Sequence, residues 1–311
     1  MVTIRKLVKA GPASHTISLP KNWLEQNGLK TGDSLYVEEK SDSLIIKSES
    51  NIAPVVEHEC TISLENKSDA SVQRELASAY VNNNRTIRFS GKSAESRLPV
   101  IRAMLQGFVA LEITEQTPLV LVVRDLLDLQ EISVEKTMRR MEMMVRTMLA
   151  ECCSSDVQEQ LRVKDEEVNK LYFLLIRLVR SVLSMPSIGE SFSLTIAKAA
   201  QLWFLVTYVE DLGDYAQAVH FSFARLAKER AKTVKDIVSQ LKSVFEQAMT
   251  AYWKKDKSGA DSVLQMRESL LKSCSALAER HKDPVLSEIA EQAKAMVALI
   301  LSIARLVIDE Q

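Results

Sequence analysis

The chain is poor in residues that interrupt regular structure. Its 311 residues include only 8 glycines and 7 prolines, so most of it is expected to be helix or strand. Aromatic residues make up 5% while methionine occurs 11 times, a mixture suited to helix packing. Neither sign of charge is in excess, with 40 Lys and Arg against 41 Asp and Glu. That balance excludes a general polyanion binder; nucleic-acid contact must come from a local patch, or from one doubled by dimerisation. The cysteines Cys60, Cys152, Cys153 and Cys274 contain no C-x-x-C pair, and adjacent Cys152 and Cys153 are expected to point in different directions on a helix. A cysteine zinc site or disulfide framework is therefore not expected, and a reducing, cytoplasmic setting is the simplest one. The longest apolar stretch, residues 295–308, is too short for a bilayer and contains Arg305, so it reads as a buried helix and not as a membrane insertion. The opening "MVTIRKLVKAG" lacks the apolar core of a secretory signal. His15, His58, His220 and His281 form no H-x-x-x-H pair, and neither a G-x-S-x-G elbow nor a glycine-rich phosphate cradle is present. The chain is not expected to be an enzyme. His281, beside Lys282, Asp283 and Pro284, reads as a helix-end residue.

Residues 1–50 read as strand, strand, short helix, strand, strand. "VTIRKLVK" is broken by Gly11 and Pro12, "HTISLP" follows, Pro20 opens a helix over "KNWLEQNG", and "SLYVEE" and "SLIIKSE" form a hairpin after the tight turn "KTGD". Such a unit buries little surface, and pairing with a second copy is the natural remedy. The order of parts, with Ser18, Leu19, Pro20 and Lys21, then Gly28 and Leu29, then Lys30, Gly32 and Asp33, resembles the AbrB/MazE/SpoVT swapped-hairpin class of DNA-binding domains. Ser18 stands where that class more often has Thr. The resemblance implies an interleaved homodimer laying basic residues on double-stranded DNA, here Arg5, Lys6, Lys9 and Lys21, helped by His15 and Ser18. The sequence itself adds that no acid precedes Glu25. A head that only dimerises, with a solvated basic edge, is the alternative.

Residues 55–130 read as strand, helix, strand, helix, strand, strand, with Asp69 as an N-cap and Pro99 in the opening turn of the second helix. This predicts a small α+β connecting domain with helices on one side of a mixed or antiparallel sheet. A small-anion site around Arg85 and Arg88 is a lesser expectation, requiring the two side chains to converge.

From residue 131 to 311 no strand signal appears. Six helices are expected, near 133–153, 156–185, 190–226, 229–252, 258–281 and 284–309, with no clear joint between the third and fourth. Three helices twice over suggest two tandem bundles, 131–226 and 227–311. The segments "ISVEKTMRRMEMMVRTML", "VKDEEVNKLYFLLIRLVRSVL" and "LWFLVTYVEDLGDYAQAVHF" resemble the first repeat of PhoU-type phosphate-uptake regulators. Asp165, Glu166 and Glu167 stand at family acid positions, Asn169 replaces a second acid, and Glu210 and Asp214 match an E-x-x-x-D pair. Family members bind iron or zinc on such faces, so the resemblance implies at most one degraded metal site at Asp165, Glu166, Asn169, Glu210 and Asp214. These acids read equally as a solvated helix face, partly neutralised by Lys164 and Lys170.

The whole is thus expected to be multi-domain and mainly α: an N-terminal swapped-hairpin β domain, a small α+β middle domain, and C-terminal PhoU-like tandem three-helix bundles. The resemblances, closer to archaeal proteins than to bacterial ones, imply a transcriptional regulator tied to phosphate homeostasis. Its implied partner is a phosphate ABC-transporter ATPase or a related signalling protein. A dimeric adaptor that does not bind DNA is the rival reading.

Overall fold

The computed structural model describes residues 4–12, 14–39, 44–48, 59–279 and 283–309. The chain divides into two compact units, Met1–Glu57 and His58–Gln311. The expected turn at Lys40–Asp42, the linker at Asn51–Pro54, and His58 and His281 lie outside the described residues.

In the first unit, β1 (Val8–Lys9) pairs antiparallel with β2 (His15–Thr16). Both are shorter than the sequence suggests; a two-stranded ribbon without a third strand has little to hold its ends together. Helix α1 (Lys21–Gln26) starts directly after Pro20. The "KTGD" turn has a clear cause: the Asp33 carboxylate accepts from the Lys30 backbone N–H at 2.6 Å, while Gly32 takes φ +100°, a conformation that disfavours side chains. Strands β3 (Leu35–Glu39) and β4 (Leu44–Ser48) form the expected antiparallel hairpin, with Val37 opposite Ile46. Among the described residues of this unit no apolar side chain is fully buried, and Ile4, Leu7, Val8, Ile17, Tyr36, Val37 and Leu44 are exposed.

The second unit opens with β5 (Glu59–Ser63), α2 (Asp69–Val81), β6 (Thr86–Ser90), α3 (Leu98–Leu105), β7 (Leu111–Gln116) and β8 (Val120–Asp125). The strand order is β5-β6-β8-β7, with β5 parallel to β6 and the other pairs antiparallel. The sheet is therefore mixed, with α2 as the crossover between its parallel strands. Alternation places Ile62, Ile87, Phe89, Leu121 and Val123 on one face, where they share a core with Val72, Leu76 and Tyr80 of α2 and Ile101 and Leu105 of α3. The N-cap of α2 is Ser68, whose hydroxyl accepts from Ser71 N at 3.3 Å, not Asp69. Asp69 sits one position inside the helix and pairs with Arg97.

The remainder is helical: α4 (Val134–Glu151), α5 (Gln158–Ser184), α6 (Pro186–Ser191), α7 (Ile196–Phe223), α8 (Ala231–Lys254), α9 (Lys257–Gln265), α10 (Arg267–Glu279) and α11 (Pro284–Ile308). Two expectations change. Pro186 does not merely separate helices; it starts α6, because proline fits a first turn. Gly189 is required there by close approach, since a Cβ would lie 2.3 Å from the Leu194 carbonyl oxygen. The expected fifth helix is broken at Met266 into α9 and α10. The unclear joint between the third and fourth expected helices is a break after Phe223, followed by a short 3₁₀ turn at Lys228–Arg230.

Helices α4, α5 and α7 pack on one another, as do α8, α9 and α11, and α10 packs on α11. The two groups meet through α7 against α11 and α4 against α8, and one continuous apolar core runs through both. The stretch 295–308 lies in that core, with Met296, Val297, Ile300, Leu301, Ile303, Ala304 and Val307 all buried. Among the described residues no helix is long and apolar enough to cross a membrane.

The sheet layer is fastened to the helices where α2 meets α5. Arg177 of α5, 1% exposed, pairs with the buried Asp125 carboxylate and donates to Asn83 Oδ1 at 2.8 Å, while its guanidinium lies 4.7 Å from the Tyr80 ring. Asn83 in turn donates to Ser181 Oγ at 2.9 Å. A buried cation is tolerated only with such partners.

Candidate functional site

The first candidate region is the head. Arg5, Lys6, Lys9, His15, Ser18 and Lys21 are all exposed. The β1–β2 register sets Lys9 directly opposite His15, while Lys21 stands at the start of α1 and pairs with Glu25 at 3.6 Å. Among the described residues Arg5, Lys6 and Lys9 have no ion pair. The apolar side chains Ile4, Leu7 and Val8 are interleaved with them and are equally exposed.

The second region lies between α5 and α7. Asp165 and Asn169, four residues apart, share one face of α5, and Asn169 Nδ2 donates to Asp165 Oδ2 at 3.3 Å. From α7, Asp214 and Gln217 come up against Asp165 and act on its carboxyl in opposite senses. Glu166 does not join this group: it is exposed and pairs with Arg162 on its own helix. Lys164 and Lys170 pair instead with Glu151 at 2.8 Å and Glu167 at 3.8 Å. Among the described residues no cation pairs with Asp165, Glu210, Asp211 or Asp214.

The consequence is electrostatic. Burial, then the neighbouring Asp214, pushes the Asp165 carboxyl up to about 6. Burial, then Asp214, Asp211 and Asp165, pushes Glu210 up to about 8. Asp214 and Asp211 are also raised, chiefly by burial. Like charges held together without a counter-ion relieve their repulsion by keeping protons. One buried oxygen, Asp165 Oδ1, has no hydrogen-bond partner. Even so, no group of three or more His, Cys, Asp or Glu among the described residues is arranged to hold a metal ion. The seam is a crowding of carboxyls that hold their protons more tightly than free ones do. Gln217 and Asp211 belong to this face too; Gln217 is legible only as the residue one turn beyond Asp214.

The anion site around Arg85 and Arg88 does not form. Arg85 pairs with Asp125 at 3.2 Å and donates to the Leu127 carbonyl at 2.7 Å, whereas Arg88 pairs with Glu59. His220 is buried, its Nδ1 3.0 Å from the Cys152 carbonyl oxygen. Cys152 and Cys153 do not diverge. Cys152 caps α4 in a helical conformation, its N–H donating to the Met148 carbonyl at 2.9 Å, yet its sulfur lies 4.0 Å from that of Cys153, both buried.

Residues 11–53 match the family model described as "Antidote-toxin recognition MazE, bacterial antitoxin". The N-terminal domain accordingly belongs to the AbrB/MazE/SpoVT swapped-hairpin family, whose members often act as DNA-binding regulators. No curated protein and no solved structure matches the chain.

Proposed function

We propose that the protein is a homodimeric DNA-binding regulator whose head carries the DNA contact. The observation that carries this reading is the coincidence, in one small unit, of unpaired exposed cations and exposed apolar side chains. The apolar set calls for a second copy, and a two-fold axis then doubles Arg5, Lys6, Lys9 and Lys21. Contacts of this kind go to phosphate; they give affinity and orientation but little sequence information. The family of residues 11–53 supports the reading. The helical body, on this proposal, supplies the sensing part; the resemblance of its first three helices to PhoU-type regulators supports a link to phosphate supply, with a phosphate-transporter ATPase as a partner.

The test is anisotropy titration of labelled duplex DNA with the full chain and with Arg5→Ala/Lys6→Ala/Lys9→Ala. Loss of binding in the triple variant, with its oligomeric state unchanged, is the expected result. Equal binding by both proteins would remove the head from the DNA contact. No binding by either, alongside an intact dimer, would favour the adaptor reading. The phosphate link is tested separately, by transcript levels in a deletion strain under phosphate limitation; an unchanged profile would refute it.

A further inference from the structure

We infer that Cys152 and Cys153 form a vicinal dithiol site for oxidation by a hydroperoxide, entered at Cys153 through a cavity on the helical body. Four observations carry it. Cys153 lines a cavity of about 300 Å³ between the end of α4 and α8, together with Ser154, Ser239 and two lysines, Lys235 and Lys242. The Cys152 sulfur lies 4.0 Å behind that of Cys153, and either can be the donor between them. Cys152 caps α4 in a helical conformation, and Cys153 is the first residue beyond that cap, in a turn. Lys242 is paired with Glu246 at 3.1 Å, but Lys235 has no ion pair among the described residues, and its ammonium contacts only the Phe223 ring, at 5.8 Å.

The pair is chemically asymmetric. The contact with Cys152 pulls the Cys153 thiol down, burial opposes this, and the Lys235 charge pulls down again. Cys152 is pushed up by the same contact and by burial. Cys153, which faces the cavity and Lys235, is the thiol of the pair that ionises more readily and acts as the nucleophile. The other two cysteines differ. Cys60, the most exposed of the four, is raised by burial and by Glu59 and Glu75, and Cys274 is buried and raised to about 11.

The reaction balances as follows. The Cys153 thiolate attacks the distal oxygen of the hydroperoxide; an S–O bond forms, the O–O bond breaks, and the alkoxide leaves as alcohol after taking a proton from solvent. The Cys152 sulfur then attacks the sulfenic sulfur of Cys153. An S–S bond forms, the S–O bond breaks, and hydroxide leaves as water with the proton of Cys152. Two thiols and one hydroperoxide give one disulfide, one alcohol and one water. The sulfurs must close from 4.0 Å to about 2.05 Å, which requires the cap of α4 at Cys152 to give up its helical conformation.

The test is limited oxidation of the full-length protein with tert-butyl hydroperoxide, followed by alkylation and peptide mass spectrometry. Exposure alone would make Cys60 react first; the site assigned here makes Cys153 react first, and the peptide holding both cysteines lose two hydrogens. In Cys152→Ser, dimedone is expected to trap a sulfenic acid on Cys153, and in Lys235→Met the oxidation of Cys153 slows several-fold. If Cys152→Ser does not fold, the competition between Cys60 and Cys153 in the wild-type chain still decides. Cys60 reacting ahead of Cys153, or a rate unchanged by Lys235→Met, would overturn the assignment.

Discussion

The two units of the chain solve the burial problem differently. The described part of Met1–Glu57 has no fully buried apolar side chain, and Val37, Leu44 and Tyr36 stand exposed on its hairpin. His58–Gln311 has two apolar cores, one under the sheet and one running through both helical groups, and pins them together with the buried Arg177–Asp125 pair. The head has few residues with which to exclude water, and on the proposed reading its stability depends on association, whereas the body has cores of its own. The same contrast appears in the charges. The head leaves cations unneutralised at its surface, where another molecule can meet them. The body places unneutralised acids in a partly buried seam, where only protons relieve them.

The sharpest way to break the contrast acts on the body. Asp125→Ala leaves the buried Arg177 uncompensated and is expected to cost about 3–5 kcal/mol in urea unfolding; a loss within error would mean that the sheet layer is not pinned by this pair. In the head, Val37→Lys with Leu44→Lys should leave the monomer's fold largely as it is but weaken self-association by more than about a hundredfold, since each side chain is worth about 1.5–3 kcal/mol when buried. Sedimentation that shows an unchanged dimer would place the dimer contact elsewhere.

A smaller effect sits in the acid seam. Glu210 has an ordinary value of 4.5 and is raised to about 8 in the fold. The folded state therefore holds a proton that the unfolded state releases, so stability falls as pH rises between these values and levels off above about 8. Glu210→Gln should reduce that fall, leaving the part that Asp165, Asp211 and Asp214 contribute, and raise stability at pH 8.5 by about 2 kcal/mol, after allowance for solvent screening. Thermal melts of both proteins at pH 5 and pH 8.5 check this; parallel pH profiles would contradict it. The smallest expected effect is Ser68→Ala, about 1 kcal/mol from the lost cap of α2, against no comparable loss for Asp69→Ala, whose carboxylate is about half exposed.

Much of this architecture is legible in the sequence, for local reasons. The "KTGD" turn, the helix over 69–81 and the strands flanking "EQTP" each rest on turn chemistry or periodicity within a few residues. What was not legible depends on partners distant in the chain. Nothing near Arg85 announces Asp125, forty residues away, and nothing near Asn83 announces Arg177. The acid seam was visible as spacing, yet Glu166 and Asp165 are adjacent, and only packing decides that one faces α7 and the other faces Arg162. The Cys152–Cys153 approach was hidden because helical spacing sets where two adjacent side chains start, while packing decides where their sulfurs end.

The account rests most heavily on a doubled head meeting phosphate, and the salt dependence of duplex binding tests it directly. Four cations per protomer, doubled, predict a slope of log K against log salt of about −7, falling to about −2 when Arg5, Lys6 and Lys9 are changed to Ala. A wild-type slope near zero, or one that the triple variant leaves unchanged, would contradict it.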